Sequence, residues 1–426
     1  MAGSSIVVTE KGLIPIKDLT ETPAEGTATS FSTTVATHKG NFQVSGFYYG
    51  GIKETIKVTT NAGFRIEGTK VHPVLVASEQ GPIWKKLKDI TPDDYIAVVR
   101  GTDMWGNNTN LSFTLSKFAN QAIRYTMPTT LTEDIAYVAG LLVGDGSMSI
   151  DGHYSLSNPE PEIQSEFIRI HKEVFGYEAN VKQWEDKCPC IEVRSVYIQD
   201  FWRKFGISGT AACKTIPRTI LTAPRPIVVA FLQGLFDTDG SALSNGYIEY
   251  CSKSQILVTQ VQIVLANLGI IGHLRTKNVN GETYYCLSLY GNEARKFYEL
   301  VGFRLYRKQI RRNKLPKVSN PNVDVVPYGQ VLLKQLWKEF LPQPEKIHKA
   351  VGKKIVTPRA PSRERIARAL EKLNPSPSKT LTALQELANP LIFWDKVKFI
   401  EYGIAEVYDL HVPGQHSFVA NGIAVH

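Results

Sequence analysis

Val138–Gly146 reads Val-Ala-Gly-Leu-Leu-Val-Gly-Asp-Gly, and Leu232–Gly240 reads Leu-Gln-Gly-Leu-Phe-Asp-Thr-Asp-Gly. Each predicts an apolar helix whose final Asp precedes a glycine in the C-cap slot. Gly140 and Gly144 lie four apart on one helix face, as do Gly234 and Thr238, so two such helices can approach backbone to backbone. A carboxylate at a helix C-terminus is unfavourable, because the last carbonyls already carry partial negative charge. Asp145 and Asp239, side by side, would also repel each other. A divalent cation relieves both problems, and Mg2+ takes one or two carboxylates plus water and phosphate oxygens. The chemistry this predicts is phosphodiester cleavage assisted by Mg2+ (or Mn2+), with both acids as metal ligands.

The elements that must position these acids also recur. Thr132-Glu133-Asp134 starts a helix ahead of the first apolar run. Strand-like text and an amphipathic helix follow each copy, at Pro161–Phe175 and at Lys253–Leu268. Further short helices end near Phe205-Gly206-Ile207 and Val301-Gly302-Phe303. Offsets between the copies are 94, 93 and 96 residues. The pattern predicts a duplicated αββαββα unit related by a pseudo-two-fold axis.

On either side the period changes to two. Thr55–Thr59, Phe64–Glu67, Val71–Val76 and Ile83–Val99 read as strands, and so do Lys396–Ile400, Val407–Val412 and Phe418–Val425. The predicted fold class is multidomain. An all-β domain is built from both chain ends (residues 1–128 and 391–426). A duplicated α+β domain is inserted at 129–312, with repeats at about 131–212 and 225–312. A small basic helical subdomain covers 313–390.

The net charge of +9 is unevenly spread. Residues 304–372 hold 18 Lys and Arg against 5 Asp and Glu, a local net of +13 that leaves −4 elsewhere. A basic block in a mildly acidic chain suits a polyanion, most often nucleic acid. Its helices would grip phosphates without sequence preference.

The paired motifs resemble those of the LAGLIDADG homing endonucleases, over roughly residues 131–312. The resemblance implies two central helices beneath a saddle of two four-stranded sheets, with double-stranded DNA under the saddle. It implies that Asp145 and Asp239 are the metal-binding acids, with a basic residue near each. Lys214 and Lys308 each lie 69 residues after their Asp, so the repeat puts them at related positions. A lysine there can hold the scissile phosphate or polarise the attacking water. Strands that enter the major groove would read sequence, with Lys182, Arg194, Arg275 and Lys277 as DNA-binding candidates.

The β-rich ends carry a second chemistry. Gly68-Thr-Lys-Val-His-Pro precedes a strand, and the C-terminal segment holds Val407-Tyr-Asp-Leu-His-Val412, His416-Ser-Phe418 and Asn421-Gly-Ile-Ala-Val-His426. With Ser4–Thr9 and Gly12–Ile16 these blocks resemble the splicing blocks of inteins, over about residues 1–100 and 392–426. The resemblance implies the HINT β-fold and autocatalytic protein splicing. It gives Thr69 and His72 the binding and protonation of the N-terminal junction amide, and Asp409 the steering of protons between junctions. His416 and His426 would assist cyclisation of an Asn at the C-terminal junction. Such steps call for acid–base groups near neutral pKa. The expected partners are therefore the exteins of a host protein and a long asymmetric DNA target in the intein-less host gene, cut by a monomer. Two departures from the pattern predict a splicing-disabled chain. Met1 or Ala2 stands where a nucleophilic Cys or Ser belongs, and no Asn follows His426. Ser4 and Ser5 fall inside the first strand in this register, out of place as nucleophiles. Paired splicing blocks weigh against an RNA-splicing cofactor of the same fold, and intact acids weigh against a nuclease decayed to a DNA binder.

Five cysteines, Cys188, Cys190, Cys213, Cys251 and Cys286, show no framework spacing, which predicts reduced thiols and a cytoplasmic setting. No apolar run is long enough for a membrane span, and no signal peptide is evident at the start.

Overall fold

The structure, a computed structural model, describes residues 1–116, 125–148, 152–207, 210–317, 324–340 and 360–426. Its β body contains β1 (Ile6–Thr9), β2 (Gly12–Pro15), β3 (Thr27–Thr37), β4 (Gly40–Thr60), β5 (Arg65–Thr69), β6 (Pro73–Ser78), β7 (Gly81–Lys86) and β8 (Tyr95–Val99). The C-terminal segment adds β17 (Ile392–His411), β18 (Phe418–Ala420) and β19 (Ile423–Val425). All pair in one sheet, along β17-β4-β3-β1-β18-β19-β8-β6-β7, with β2 on β1 and β5 on β4. β17 pairs with β8 at Ile392↔Val99, then runs along β4 to His411↔Gly46. The two chain ends thus close one core, lined by Val7, Phe47, Val58, Ile66, Val98, Phe418 and Val425. Ser4 and Ser5 lie before β1 rather than inside it, because Ser5 N donates back to Ala2 O at 2.9 Å.

The inserted middle repeats one unit. The first copy runs α1 (Glu133–Asp145), β9 (Gly146–Met148), β10 (His153–Ser157), α2 (Pro161–Phe175), β11 (Val181–Trp184), β12 (Lys187–Arg194) and α3 (Val196–Phe205). A short α4 (Arg218–Leu221) leads to the second copy: α5 (Arg225–Thr238), β13 (Gly240–Ala242), β14 (Ile248–Ser252), α6 (Gln255–Asn267), β15 (His273–Val279), β16 (Glu282–Leu289) and α7 (Gly291–Leu300). The sheets have corresponding strand orders, β9-β10-β12-β11 and β13-β14-β16-β15. Thr132, Ser195 and Ser254 cap α1, α3 and α6 by accepting from the third amide on, which satisfies donors the helix leaves unpaired. The Ser254 cap sets the start of α6 at Gln255, two residues after the expected one.

Two expectations need correction. The C-cap slot of α5 falls to Asp239 itself rather than to Gly240, while in α1 it falls to Gly146, whose φ of −77° and ψ of 146° open β9 directly. The glycine is needed for space, since a Cβ there would sit 2.3 Å from Leu142 O. Nor are all the cysteines reduced. Cys251 and Cys286 are register partners on β14 and β16, 4.2 Å apart at Cα, and form a disulfide. Cys188 and Cys190 are free strand residues, and Cys213 is free.

The basic segment forms α8 (Tyr306–Gln309), α9 (Gly329–Phe340), α10 (Arg363–Leu373) and α11 (Lys379–Leu387). Apolar residues of α9–α11, including Leu332, Leu336, Ile366 and Leu384, share a core with Leu75, Val99 and Trp394 of the β body. Residues 341–359, which carry part of the basic block, lie outside the described residues. Among the described residues no helix is long and apolar enough to cross a membrane.

Candidate active sites

The acids are positioned by how closely α1 and α5 pack. A Cβ on Gly140 would lie 2.2 Å from Phe231 O, and one on Gly234 would lie 2.2 Å from Tyr137 O. No side chain fits at either place, so the two backbones touch and the helices end side by side. Asp145 closes α1, and Asp239 is the cap of α5. Burial raises both carboxyl pKa values, and the nearby Asp145 charge helps push Asp239 up to about 6. Asn158 Nδ2 donates to Asp145 Oδ2 at 2.6 Å.

Both lysines reach this place. Lys214 Nζ donates to Gly144 O at 2.6 Å, at the end of α1. Lys308 Nζ donates to Phe236 O (3.0 Å), Asp237 O (2.6 Å), Thr238 O (3.3 Å) and Gly240 O (2.6 Å), at the end of α5. Each cation therefore caps the negative end of its own copy's helix. Burial lowers both ammonium pKa values, Lys308 to about 8, while both acids pull the other way. Two acids and two lysines thus interact as one group across the pseudo-dyad.

The donor set fits a hard divalent cation. Two part-exposed carboxylates repel each other at two negative helix ends, and among the described residues no third acid groups with them to close the shell. Among the described residues the one group of three or more metal-type side chains is Glu249, Cys251 and Cys286, and there the disulfide occupies both sulfurs.

The sheet faces hold the strand candidates, partly neutralised. Lys182 and Arg194 both pair with Glu192, and Arg275 pairs with Glu249. Lys277 is exposed on β15. The opposite faces carry the buried Tyr154, Leu156, Tyr250 and Leu287.

A second site lies in the β body. Met1 is buried; its amino group donates to Tyr408 O at 2.5 Å, and Tyr408 N donates to Met1 O at 2.8 Å. Ala2 N donates to Glu67 O at 2.8 Å. These bonds thread the start of the chain between β5 and β17, beside Asp409. The Met1 ammonium opposes the burial that raises the Asp409 pKa. His72 N donates to Thr69 O at 3.0 Å, which makes the turn after β5. Burial and the Met1 ammonium push the His72 pKa down to about 3, and its Nε2 is buried without a partner. His416 stacks on His426 with ring centroids 5.8 Å apart, and His426 meets Trp84 edge-on at 5.2 Å. Asp409, His411, His416 and His426 line one cavity. The Met1 amine and His426 both act on His72 and on Asp409, His416 stacks on His426, and Thr69 makes the turn that carries His72.

Sequence reasoning missed Tyr137, Asn158 and Asp237. Only Asp237 left a trace there, because Val143 occupies its place in the first copy.

The family model of the intein splicing domain matches residues 6–426. The chain is 28% identical over 290 residues to the replication factor C small subunit of Thermococcus kodakarensis, across 66% of this chain and 30% of that protein. It is 26% identical over 418 residues to the replicative DNA helicase DnaB of Rhodothermus marinus, across 90% of this chain and 41% of that protein. The chain thus spans less than half the length of these relatives. Among solved structures, I-DmoI in complex with DNA and Ca aligns at 16% identity with a TM-score of 0.33, over 40% of this chain and 88% of that one. The N-terminal LAGLIDADG domain of DUF199/WhiA aligns at 14% with a TM-score of 0.31, over 42% and 86%. Scores this low carry no weight, so the reading of the middle stands on its own geometry.

Proposed function

Because the chain belongs to the intein splicing-domain family, we propose that its β body performs protein splicing while its inserted middle makes site-specific, metal-assisted cuts in double-stranded DNA. One observation carries the nuclease reading: Asp145, Asp239, Lys214 and Lys308 act on one another at the paired ends of α1 and α5.

Asp145 and Asp239 would hold Mg2+ or Mn2+, which when bound neutralises phosphate charge and makes water more acidic. Lys214 and Lys308 keep positive charge beside the acids, where a scissile phosphate would need it. On the sheet faces Lys182, Arg194, Arg275 and Lys277 would meet the groove. The first three would exchange their Glu192 or Glu249 partners for DNA, a swap that favours sequence selectivity over raw affinity. The twofold relation lies within one chain, which supports a monomer acting on an asymmetric target.

In the β body His72 is neutral at neutral pH. It would therefore act on the junction amide through an N–H rather than as a cation. Asp409 interacts with both the Met1 amine and His426, which supports a role in passing protons between junctions. Neither Met1 nor Ala2 offers a thiol or hydroxyl. An acyl shift would therefore not start from these residues. The exteins of a host protein would be the partners of this site.

The test is cleavage of a randomised DNA library in Mg2+, with sequencing of the products. A recurrent cut site that disappears in Asp145→Asn/Asp239→Asn supports the reading. Cutting that survives in the double variant overturns it.

A further inference from the structure

The two copies differ at one pair of facing positions. Tyr137 on α1 donates its hydroxyl to Asp237 Oδ2 on α5 at 2.9 Å. The related positions, 94 residues away in each direction, are Phe231 and Val143, both buried and apolar. One side of the helix pair therefore has a polar bridge, and the other has two buried apolar side chains.

Asp237 is 1% exposed. Besides Tyr137, its carboxylate accepts from Arg304 N at 3.2 Å and from Leu305 N at 3.2 Å. These two amides immediately precede α8, which carries Lys308. A buried carboxylate costs free energy unless its hydrogen bonds are made, so it fixes the groups that make them. Arg304 is fixed in turn. Its guanidinium lies 4.1 Å from the Tyr137 ring centroid, and its Nε donates to Gln233 Oε1 at 3.0 Å. Lys308 then reaches four carbonyls, one of them the carbonyl of Asp237 itself. In the first copy the matching residues are Thr210 and Ala211, both exposed in a turn, and Lys214 reaches two carbonyls.

We propose that Asp237 is a positioning residue for Lys308, pinning the 304–305 backbone so that one of the two acid–lysine sites is more firmly assembled than the other. The consequence is unequal cutting: the strand served by Lys308 is nicked first. The inference rests on the nuclease reading, because preorganisation matters only if Lys308 acts on a phosphate.

The test uses the full chain and three proteins. Tyr137→Phe/Asp237→Val installs the apolar pair that the molecule already tolerates on its other side, so no buried hydroxyl is orphaned. Asp237→Asn keeps an acceptor oxygen for the 304–305 amides. The substrate is a duplex labelled at both 5′ ends, carrying a site recovered from a randomised library by wild-type cleavage. In single-turnover reactions with Mg2+, the double variant is expected to slow nicking of one strand about tenfold or more and the other less than about twofold. Asp237→Asn recovers most of the lost rate. Equal slowing of both strands, as a general loss of fold would give, overturns the proposal, and so does no change in either. A wild type that cuts neither strand would remove the nuclease reading instead. The positioning claim is then read from lysine acylation followed by mass spectrometry. Lys308 should label about tenfold faster in the double variant while Lys214 is unchanged. Equal labelling of Lys308 in wild type and variant overturns the claim.

Discussion

The splicing site and the paired helix ends solve opposite electrostatic problems. Around Met1 burial works against charge: it holds the His72 pKa at about 3 and raises that of Asp409 against the pull of the Met1 ammonium. At the ends of α1 and α5 charge is concentrated, with two acids and two lysines drawn together by backbone contact at Gly140 and Gly234. Proton transfer needs groups that can change charge, whereas phosphate chemistry needs charge held in place. The two proposed chemistries fit in one chain because each set stands on its own rigid frame, the large sheet in one case and the helix pair in the other.

Four perturbations break or sharpen that contrast. The largest effect should come from Asp145→Asn with Asp239→Asn, a loss of at least about a thousandfold in DNA cleavage. The melting temperature should hold or rise, because two repelling, half-buried charges are gone. A fall in both activity and melting temperature would mean that the acids serve structure. Next, in a precursor carrying Met1→Cys between exteins, His72→Ala should slow thiol-induced N-terminal cleavage about a hundredfold. DNA cutting by the same protein should not change, and loss of both activities would deny the separation. Third, Gly140→Val forces a side chain into the contact with Phe231 O and should cost about 2 kcal/mol in urea unfolding. Intact stability would show that the backbones do not touch.

The smallest effect concerns pH. Asp395 joins β17 to the β4–β5 turn by accepting from Ala62 N at 2.9 Å, and burial raises its pKa from 3.8 to about 6. Between those values the native state keeps a proton that the unfolded chain has released. Its contribution to stability therefore falls as pH rises across this window. Thermal melts of Asp395→Asn relative to wild type should show the variant gaining ground from pH 4 to 6; a constant difference would put the titration elsewhere.

Much of this was legible from residue order. Pro161 at N1 and Gly176 after Phe175 bounded α2 at its observed ends, since both residues act locally. The acids were legible because the motif occurs twice. The great length of β4 and β17 was not, because Gly50-Gly51 reads as a break, whereas the sheet absorbs it as a bulge with Gly51 at a φ of +75°. The Cys251–Cys286 bond was hidden for a related reason, since it depends on register across 35 residues. Asp237 was visible, but its partners at 304 and 305 depend on where α8 docks, which no local pattern encodes.

The neck of the insert has a consequence of its own. Arg100, just past β8, ion-pairs with Asp324 at 2.5 Å, and Arg363 pairs with the same carboxylate. The chain thus leaves the β body and returns to it at one clasp, with α9–α11 remaining behind as a lid over its apolar side. That clasp is not the sole tie, because Ala266 and Ile271 enter the β-body core and Leu274 N donates to Ala62 O at 2.8 Å. Removing the middle would therefore uncover a patch of the sheet's own core as well as open the clasp.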